Sequence, residues 1–298
     1  MKILVIGANG QLGRSVKKLV TTKGDSTLIS DFTFADRASL DLSNLDDIER
    51  YFDNNQFDTI INCAAYTLVD EAENNKEQAN QVNHLAVKKI AESICGSKTQ
   101  LIHISTDYVF DGTSFEPYEE IDLPNPINVY GKTKLAGEIA IKRVMRTNAT
   151  IIRTSWVYSE FGNNFVQTML RLGRERDKLN VVDDQLGSPT YASDLAEVIL
   201  HIADKQGHSK KELPTQIYHY SNEGNISWYD FAKEIFKLAR INCKVLPILT
   251  KEFVTSADRP KNSSMSKKKI RQEFGVETCS WNNSLDKLVQ LLGAEKSE

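Results

Sequence analysis

A tyrosine and a lysine four residues apart are the first candidates for chemistry in this chain. Tyr130 and Lys134 lie in a segment with helical periodicity, so both side chains are on one face of the helix. An unperturbed tyrosine has a pKa of about 10. An ammonium group about 5 Å away, at an effective dielectric of about 20, favours the phenolate by about 3 kcal/mol. We therefore expect Tyr130 to exchange a proton near neutral pH, as the reduction of a ketone requires.

The surroundings of the pair distinguish it from a second one with the same spacing, Tyr229 and Lys233. Tyr130 follows a predicted strand and its polar exit, at a sheet edge of the kind where α/β proteins bind ligands. Thr106, in that exit, offers a hydroxyl that can orient the same carbonyl oxygen. We therefore assign the chemistry to Tyr130 and Lys134 and a packing role to Tyr229, whereas Thr106 is either this orienting hydroxyl or a helix cap or turn residue.

The turn after the first predicted strand is rich in glycine. Gly7, Gly10 and Gly13 have a spacing that lets the backbone approach a pyrophosphate, whose charge lies at the amino terminus of the following helix. Asp31, 18 residues beyond Gly13, is placed to bind an adenosine ribose and would favour NADH. Arg14 and Arg37 are alternative candidates that would bind the 2′-phosphate of NADPH, so the choice between NADH and NADPH stays open.

Strands and helices alternate in the first half of the chain, which predicts an α/β fold with a Rossmann-type, doubly wound parallel sheet. The predicted strands are Lys2 to Ile6, Thr27 to Ser30, Thr59 to Cys63, Leu101 to Ile104 and Thr150 to Arg153. The predicted helices are Gly10 to Val20, Leu45 to Phe52, Gln78 to Ile94, Val129 to Val144, Trp228 to Leu238 and Ser284 to Leu292. Asn83, within the third helix, either contacts the active-site backbone or lies at the surface.

The order of elements changes beyond residue 158. We expect residues 1–158 to form a dinucleotide-binding domain and residues 159–298 a smaller, mixed carboxyl-terminal substrate lobe. A segment of roughly residues 190–222 is expected to rejoin the main sheet.

Composition excludes several classes of protein. The 298 residues carry a net charge of −3, and the four cysteines and five histidines lack the spacing of a disulfide framework or a metal site. The one basic run, Lys267 to Lys269, is interpreted as a solvated helix face rather than a nucleic-acid patch. With neither a signal peptide nor a long apolar run, we expect a cytoplasmic protein without membrane or nucleic-acid partners.

Several blocks in order resemble dTDP-4-dehydrorhamnose reductases, of the extended short-chain dehydrogenase/reductase family, and the match runs nearly end to end. The blocks are Gly7 to Gly13, Asn62 to Asp70, Ser105 to Phe110, Val129 to Lys134, Arg153 to Tyr158, Gly162 to Phe165, Asp184 to Thr190, and Arg259-Pro260. This resemblance implies reduction of the C4 ketone of dTDP-4-dehydro-β-L-rhamnose to dTDP-β-L-rhamnose, the last step in making the activated sugar for surface polysaccharide.

The resemblance also implies roles for particular residues. Tyr130 would be the proton donor, Lys134 would lower its pKa and hold the nicotinamide ribose, and Thr106 would bond the ketone. The cofactor would contact Gly10, Gln11, Leu12, Asp41, Leu42, Ala64, Ala65 and Tyr66. The sugar nucleotide would contact Thr106, Asp107, Trp156, Asn164, Gln185 and Arg259.

The chain also departs from the family, and two other functions stay open. Some members are dimers bridged by Mg²⁺ through acidic side chains on the first helix, where this chain has Arg14-Ser15, which argues against a metal-bridged dimer. Use of Mg²⁺ stays open, and so does the choice between monomer and homodimer. The loop from Asp31 to Ser39 lacks a shared motif. The alternatives are a reductase or epimerase for another nucleotide sugar, and a non-catalytic NADP-binding regulatory subunit.

Overall fold

The computed structural model describes residues 1–22, 31–207 and 212–294. The strands in this part of the chain are β1 (Lys2–Ile6), β2 (Asp31–Ala35), β3 (Thr59–Asn62), β4 (Gln100–Thr106), β5 (Ala149–Thr154), β6 (Val157–Tyr158), β7 (Lys178–Val182), β8 (Leu186–Gly187), β9 (Thr190–Tyr191), β10 (Gln216–His219), β11 (Ile226–Ser227) and β12 (Lys244–Ile248). Six of them form a parallel sheet in the order β10-β5-β4-β3-β1-β2. The other six pair two by two, β6 with β9, β7 with β12, and β8 with β11.

Helices cover both faces of the large sheet and contribute to a second apolar core. They are α1 (Gln11–Thr22), α2 (Leu45–Asn54), α3 (Val69–Ala72), α4 (Lys76–Asn80), α5 (Ala86–Ile94), α6 (Val129–Val144), α7 (Phe165–Glu175), α8 (Ala192–Gly207), α9 (Trp228–Leu238), α10 (Lys268–Phe274) and α11 (Trp281–Ala294). None of the helices within the described residues is long and apolar enough to span a bilayer.

The first strand shows why a continuous apolar run forms the middle of this sheet. Ile3 and Val5 point to one face, into a core shared with α1 and α8, while Leu4 and Ile6 point to the other, into a core shared with α2, α5 and α6. Because both faces of a parallel sheet are covered by helices, both sets of side chains are buried. The doubly wound fold expected from the sequence is confirmed.

Most predicted elements are present, with boundaries shifted by a few residues. The helix predicted from Val129 to Val144 has the predicted limits in α6. The helix predicted from Gln78 to Ile94 begins at Lys76 and is interrupted by a π-helical turn, Gln81–Leu85, between α4 and α5. Helical periodicity does not reveal this turn, because a single wide turn leaves the apolar stripe almost unchanged.

The second strand differs from its prediction. The segment Thr27 to Ser30 lies outside the described residues, and β2 is Asp31–Ala35. Phe32 and Phe34 alternate with polar residues because β2 is the edge strand of the sheet, so its apolar signal is weak. The carboxyl end of β2 is therefore at Ala35. The position of this end determines which acidic side chain can reach the cofactor site.

The last strand of the sheet comes from far along the chain. β10 pairs in parallel with β5, with Gln216 opposite Thr150, and occupies the edge opposite β2. β6, α7, β7 and β9, together with α9, β12 and α11, form a separate apolar core around Tyr158, Met169 and Phe231. The sheet and this second core meet at the carboxyl ends of the strands.

Candidate active site

A cavity of about 900 Å³ lies at the carboxyl edge of the parallel sheet. Its walls come from the turn after β1, the loops after β2, β3 and β4, the start of α6, and the segments around β6 and α9. The predicted residues that line it are Gly7, Gly10, Gln11, Leu12, Asp41, Leu42, Ala64, Ala65, Tyr66, Thr106, Asp107, Tyr130, Lys134, Trp156 and Asn164. Four predicted residues do not line it: Gly13, Asp31, Gln185 and Arg259.

The glycine turn forms a cradle that side chains would fill. Gly7 has a φ of +82°, and a Cβ there would lie 2.8 Å from the backbone nitrogen of Ala64. A Cβ on Gly13 would lie 2.3 Å from the carbonyl oxygen of Gly7, so Gly13 permits the close packing of α1 on the turn. The free amides at the start of α1 therefore face a space that fits a pyrophosphate. These residues fit a dinucleotide cofactor.

Asp31 does not reach this cradle, and its predicted role is wrong. It is the first residue of β2, and its backbone nitrogen donates to the carbonyl oxygen of Met1 at the opposite end of the sheet. Asp36, one residue beyond β2, lines the cavity and accepts a hydrogen bond from Asn9 Nδ2 at 3.2 Å. Backbone and side-chain hydrogen bonds from Ser39 are the main cause that lowers the pKa of Asp36. The error follows from placing the second strand too early in the sequence.

The two arginines considered for a 2′-phosphate are placed differently. Arg37 lines the cavity next to Asp36, and its Nε lies 3.5 Å from Asp41 Oδ1. The guanidinium of Arg14 stacks on the ring of Phe161, 4.1 Å from its centroid. Arg37 is therefore the candidate for the ribose end of the cofactor.

The catalytic candidates meet where β4 ends and α6 begins. Thr106 is the last residue of β4, and its side chain is hydrogen-bonded to that of Tyr130. The ammonium group of Lys134 is buried and donates to the carbonyl oxygen of Ile104 at 2.6 Å, with His103 Nε2 at 3.4 Å. One helical turn on α6 thus places a phenol and an ammonium at the end of one strand.

The electrostatics of this group differ from the sequence-based expectation. Desolvation raises the pKa of Tyr130 to about 12; the Thr106 hydrogen bond lowers it, and the charge of Asp107 raises it further. Burial lowers the pKa of Lys134 to about 8, and the charge of Glu138 opposes that effect. The expected lowering of the Tyr130 pKa by Lys134 is wrong for the protein without cofactor, because desolvation of the phenol dominates. Tyr130 is fully protonated at neutral pH, as a proton donor must be.

Two groups beside the catalytic candidates have strongly shifted pKa values. Desolvation raises the pKa of the buried Asp107 to about 7, although hydrogen bonds from Ser263 and Thr106 lower it. Burial and the neighbouring charge of Lys134 lower the pKa of His103 well below its usual value, so its imidazole is uncharged. His103 had no signal in the sequence beyond its position in an apolar strand.

A buried ion pair lies behind Lys134. Arg153, on β5, donates to both carboxylate oxygens of Glu138, at 2.9 and 2.7 Å, and Ser105 donates to the same carboxylate. The Arg153 guanidinium also lies over the ring of Phe110 and 3.4 Å from His219 Nε2. The negative charge beside Lys134 is therefore held by two neighbouring strands.

Asn83 contacts the active-site backbone, the first of the two alternatives left open by the sequence. Its Oδ1 accepts from the backbone nitrogen of Tyr66 at 2.8 Å, and its Nδ2 donates to the Tyr66 carbonyl oxygen and to Thr133 Oγ1. It lies in the π-helical turn, against which Gly137 of α6 packs so closely that a Cβ would be 2.3 Å from the Asn83 carbonyl oxygen. The turn thus fixes the loop after β3 to the catalytic helix.

Part of the cavity wall is aromatic. Trp156 lies there with a φ of +47°, a conformation that costs a bulky residue about 1–3 kcal/mol. Its ring stacks on that of Trp228, with centroids 3.4 Å apart and planes within 7°. Sequence reasoning missed Trp228, because only pairing between distant segments brings it to the cavity.

Gln11 links the glycine cradle to the segment that precedes α7. Its Oε1 accepts from Ser159 Oγ and from Asn164 Nδ2, both at 3.0 Å. Asn164 also caps α7 through a hydrogen bond from the Gln167 backbone nitrogen. The predicted substrate residue Asn164 therefore reaches the cavity as part of the connection between the two cores.

The remaining predicted substrate residues stabilise loops outside the cavity lining. Gln185 donates to Thr250 Oγ1 at 3.1 Å. Arg259 binds both carboxylate oxygens of Asp70, at 3.1 and 2.6 Å, and so ties a late loop to the segment after β3. Tyr229 lies outside the cavity, and Lys233 Nζ lies 4.9 Å from the centre of its ring.

A parallel sheet with a glycine cradle after its first strand and a Tyr-Lys pair at the same edge defines a nicotinamide-dependent oxidoreductase of the short-chain dehydrogenase/reductase type. Within that class, the chain belongs to the RmlD substrate binding domain family, whose model matches residues 1–293.

Named relatives and solved structures are similar over nearly the whole length. A dTDP-4-dehydrorhamnose reductase from Aggregatibacter actinomycetemcomitans is 41% identical over 95% of this chain and 97% of its own. A crystal structure of the dTDP-4-dehydrorhamnose reductase from Clostridium acetobutylicum is 40% identical, with a TM-score of 0.91 over 98% of this chain and all of its own. That of the Bacillus anthracis enzyme, solved in complex with NADP, is 38% identical, with a TM-score of 0.88 over 97% of this chain and 99% of its own.

Proposed function

We propose that this protein reduces the C4 ketone of dTDP-4-dehydro-β-L-rhamnose to dTDP-β-L-rhamnose with NADPH or NADH. The observation that carries the proposal is that Tyr130, its hydrogen-bond partner Thr106 and Lys134 line the same cavity as the glycine cradle. The relatives named above as dTDP-4-dehydrorhamnose reductases, one of them bound to NADP, support the substrate and the cofactor.

The cavity provides separate positions for the parts of a dinucleotide. The pyrophosphate would lie at the start of α1 against Gly10 and Gln11, and the adenosine ribose near Asp36 and Arg37. Lys134 would hold the nicotinamide ribose at the other end. When bound, the reduced nicotinamide supplies a hydride to the ketone carbon.

The chain's own residues supply the proton. The Tyr130 hydroxyl donates its proton to the ketone oxygen as that oxygen gains negative charge, and the product is an alcohol. Thr106 hydrogen-bonds the phenol and thereby favours the phenolate that remains. A positive charge on Lys134, one turn along the same helix, favours the phenolate as well. The trio therefore stabilises charge where it develops in the reaction.

The test is an assay of the purified protein. Oxidation of NADPH and of NADH is followed by absorbance, with dTDP-4-dehydrorhamnose generated in place from dTDP-glucose by the two preceding enzymes. Formation of dTDP-β-L-rhamnose, identified by NMR, supports the proposal. Turnover only with another nucleotide sugar, or tight cofactor binding without turnover, contradicts it and favours one of the two alternative functions.

A further inference from the structure

The backbone of Trp156 is held in its strained conformation by the segment that contains β8 and β9. Ser155 Oγ donates to the carbonyl oxygen of Ser188 at 2.6 Å, and the carbonyl oxygen of Trp156 accepts from the backbone nitrogen of Thr190 at 3.2 Å. Two bonds on consecutive residues fix the direction in which the indole projects. Strain of this kind persists where surrounding contacts determine the conformation, and it is common at ligand sites.

Gly187 leaves room for the indole. A Cβ at this position would lie 2.7 to 2.9 Å from three ring atoms of Trp156, Cε2, Cζ2 and Nε1. Real Cβ atoms essentially never come so close to another heavy atom, so the ring would have to move. The φ of Gly187 is outside the left-handed region, so alanine suits the backbone there and the obstacle is the Trp156 ring.

The same strand pair places Trp228 on the indole. β8 and β11 pair in antiparallel fashion, with Gly187 opposite Ile226, and Trp228 is the first residue of the helix that follows. Ser227 caps that helix by accepting from the Asp230 backbone nitrogen at 3.0 Å. These contacts position the backbone of Trp228, and its ring lies parallel to that of Trp156.

We infer that Gly187 and Trp228 are positioning residues for the sugar nucleotide, because together they hold the Trp156 indole at the wall of the cavity that also contains the catalytic group. The inference rests on the proposed function for the identity of the substrate. Trp156 and Trp228 line the cavity, whereas Gly187 acts from behind, through the indole. Apolar faces of sugar rings pack on aromatic rings, and a rigid aromatic wall binds them with little loss of side-chain freedom.

The experiment compares Gly187→Ala with Gly293→Ala, a substitution on α11 where an added Cβ meets nothing within 4 Å. Stacked indoles give an exciton couplet in circular dichroism, and the chain has only three tryptophans, so the couplet reports the Trp156–Trp228 pair without substrate. For Gly187→Ala we expect a diminished couplet and a KM for the sugar nucleotide raised about tenfold. We expect an unchanged Kd for NADPH and a smaller effect on kcat. Gly293→Ala should change none of these.

A second variant and a combined variant separate positioning from general packing. Trp228→Leu should abolish the couplet and raise the same KM, again with NADPH affinity kept. In a Trp156→Phe background the smaller ring leaves space, so adding Gly187→Ala should raise KM little further.

Three results would overturn the inference. These are an intact couplet in Gly187→Ala, a lost couplet with an unchanged sugar-nucleotide KM, and a parallel loss of NADPH affinity and melting temperature. If the parent protein does not turn over the sugar nucleotide, the proposed function fails, while the couplet still decides whether Gly187 positions Trp156.

Discussion

Glu138 follows Lys134 by one turn of α6, and its charge raises the pKa of an ammonium group that burial lowers. Arg153 forms an ion pair with the Glu138 carboxylate and keeps this negative charge close to Lys134. The net result is a lysine whose pKa is about 8, close enough to neutral for its charge to vary within the working range of an enzyme.

We predict that kcat/KM falls as the pH rises through about 8, because the charged form of Lys134 is lost there. Glu138→Gln should move this fall to lower pH, since the carboxylate that raises the Lys134 pKa is gone. A pH profile of initial rates measures both effects. Glu92→Gln, which changes an exposed acid on α5, is the control and should leave the profile in place. A profile flat to pH 10, or one that Glu138→Gln does not move, would contradict the role of Lys134.

Tyr130→Phe should lower turnover by about 100-fold or more, because the proton donor is removed. The Kd for NADPH should change little, since the glycine cradle and Lys134 remain. Rates and a fluorescence titration of NADPH measure the two quantities. Tyr229→Phe, in the other tyrosine–lysine pair, should keep full turnover. A comparable loss in that variant would mean that the chemistry belongs to the other pair.

Asp107→Asn should raise the melting temperature more at pH 8 than at pH 5. The pKa of Asp107 is raised to about 7 in the folded protein, so its stability contribution is complete below the unfolded pKa and is lost as the pH rises through about 7. Asparagine has no charge to bury.

Asp111→Asn is the matched control, and its effect on the melting temperature is expected to have the opposite sign. Hydrogen bonds, led by that from Asn125, lower the Asp111 pKa, so this change should lower the melting temperature at both pH values. Equal shifts of the melting temperature at pH 5 and pH 8 for Asp107→Asn would contradict the raised pKa of Asp107.

Arg37→Ala should weaken binding of NADPH about tenfold and that of NADH much less, because only NADPH carries a 2′-phosphate for the guanidinium. Asp31→Ala should change neither affinity, since Asp31 lies at the other end of β2. Titration of each variant with NADPH and with NADH gives the ratio of the two dissociation constants. A loss of NADH affinity in Asp31→Ala would mean that β2 does not present Asp36 to the ribose.

The sequence predicted helices and strands best where the spacing of apolar residues matches the burial of those residues in the fold. The apolar run of β1 and the apolar stripe of the helix predicted from Gln78 to Ile94 indicate their elements because those side chains are buried in the cores on the two faces of the sheet. The glycine cradle and Tyr130 were found because turn geometry and helical spacing are local properties. The ribose acid was misplaced because β2 is an edge strand with a weak signal.

Other features depend on contacts that spacing cannot report. Trp228 reaches the cavity through the pairing of β11 with β8, and the π-helical turn at Asn83 depends on the close approach of Gly137. The direction of the Tyr130 pKa shift was wrong because desolvation is set by the whole site.

The position of β10 also sets when this protein can complete its fold during synthesis. β5 is buried along its whole length, yet the strand that covers its outer edge, β10, ends only at His219. Until the ribosome has released that segment, a nascent chain exposes a row of unpaired amide and carbonyl groups beside apolar side chains. Premature termination between these two strands would therefore yield a fragment with an open sheet edge, which is prone to aggregate and is a natural target for chaperones.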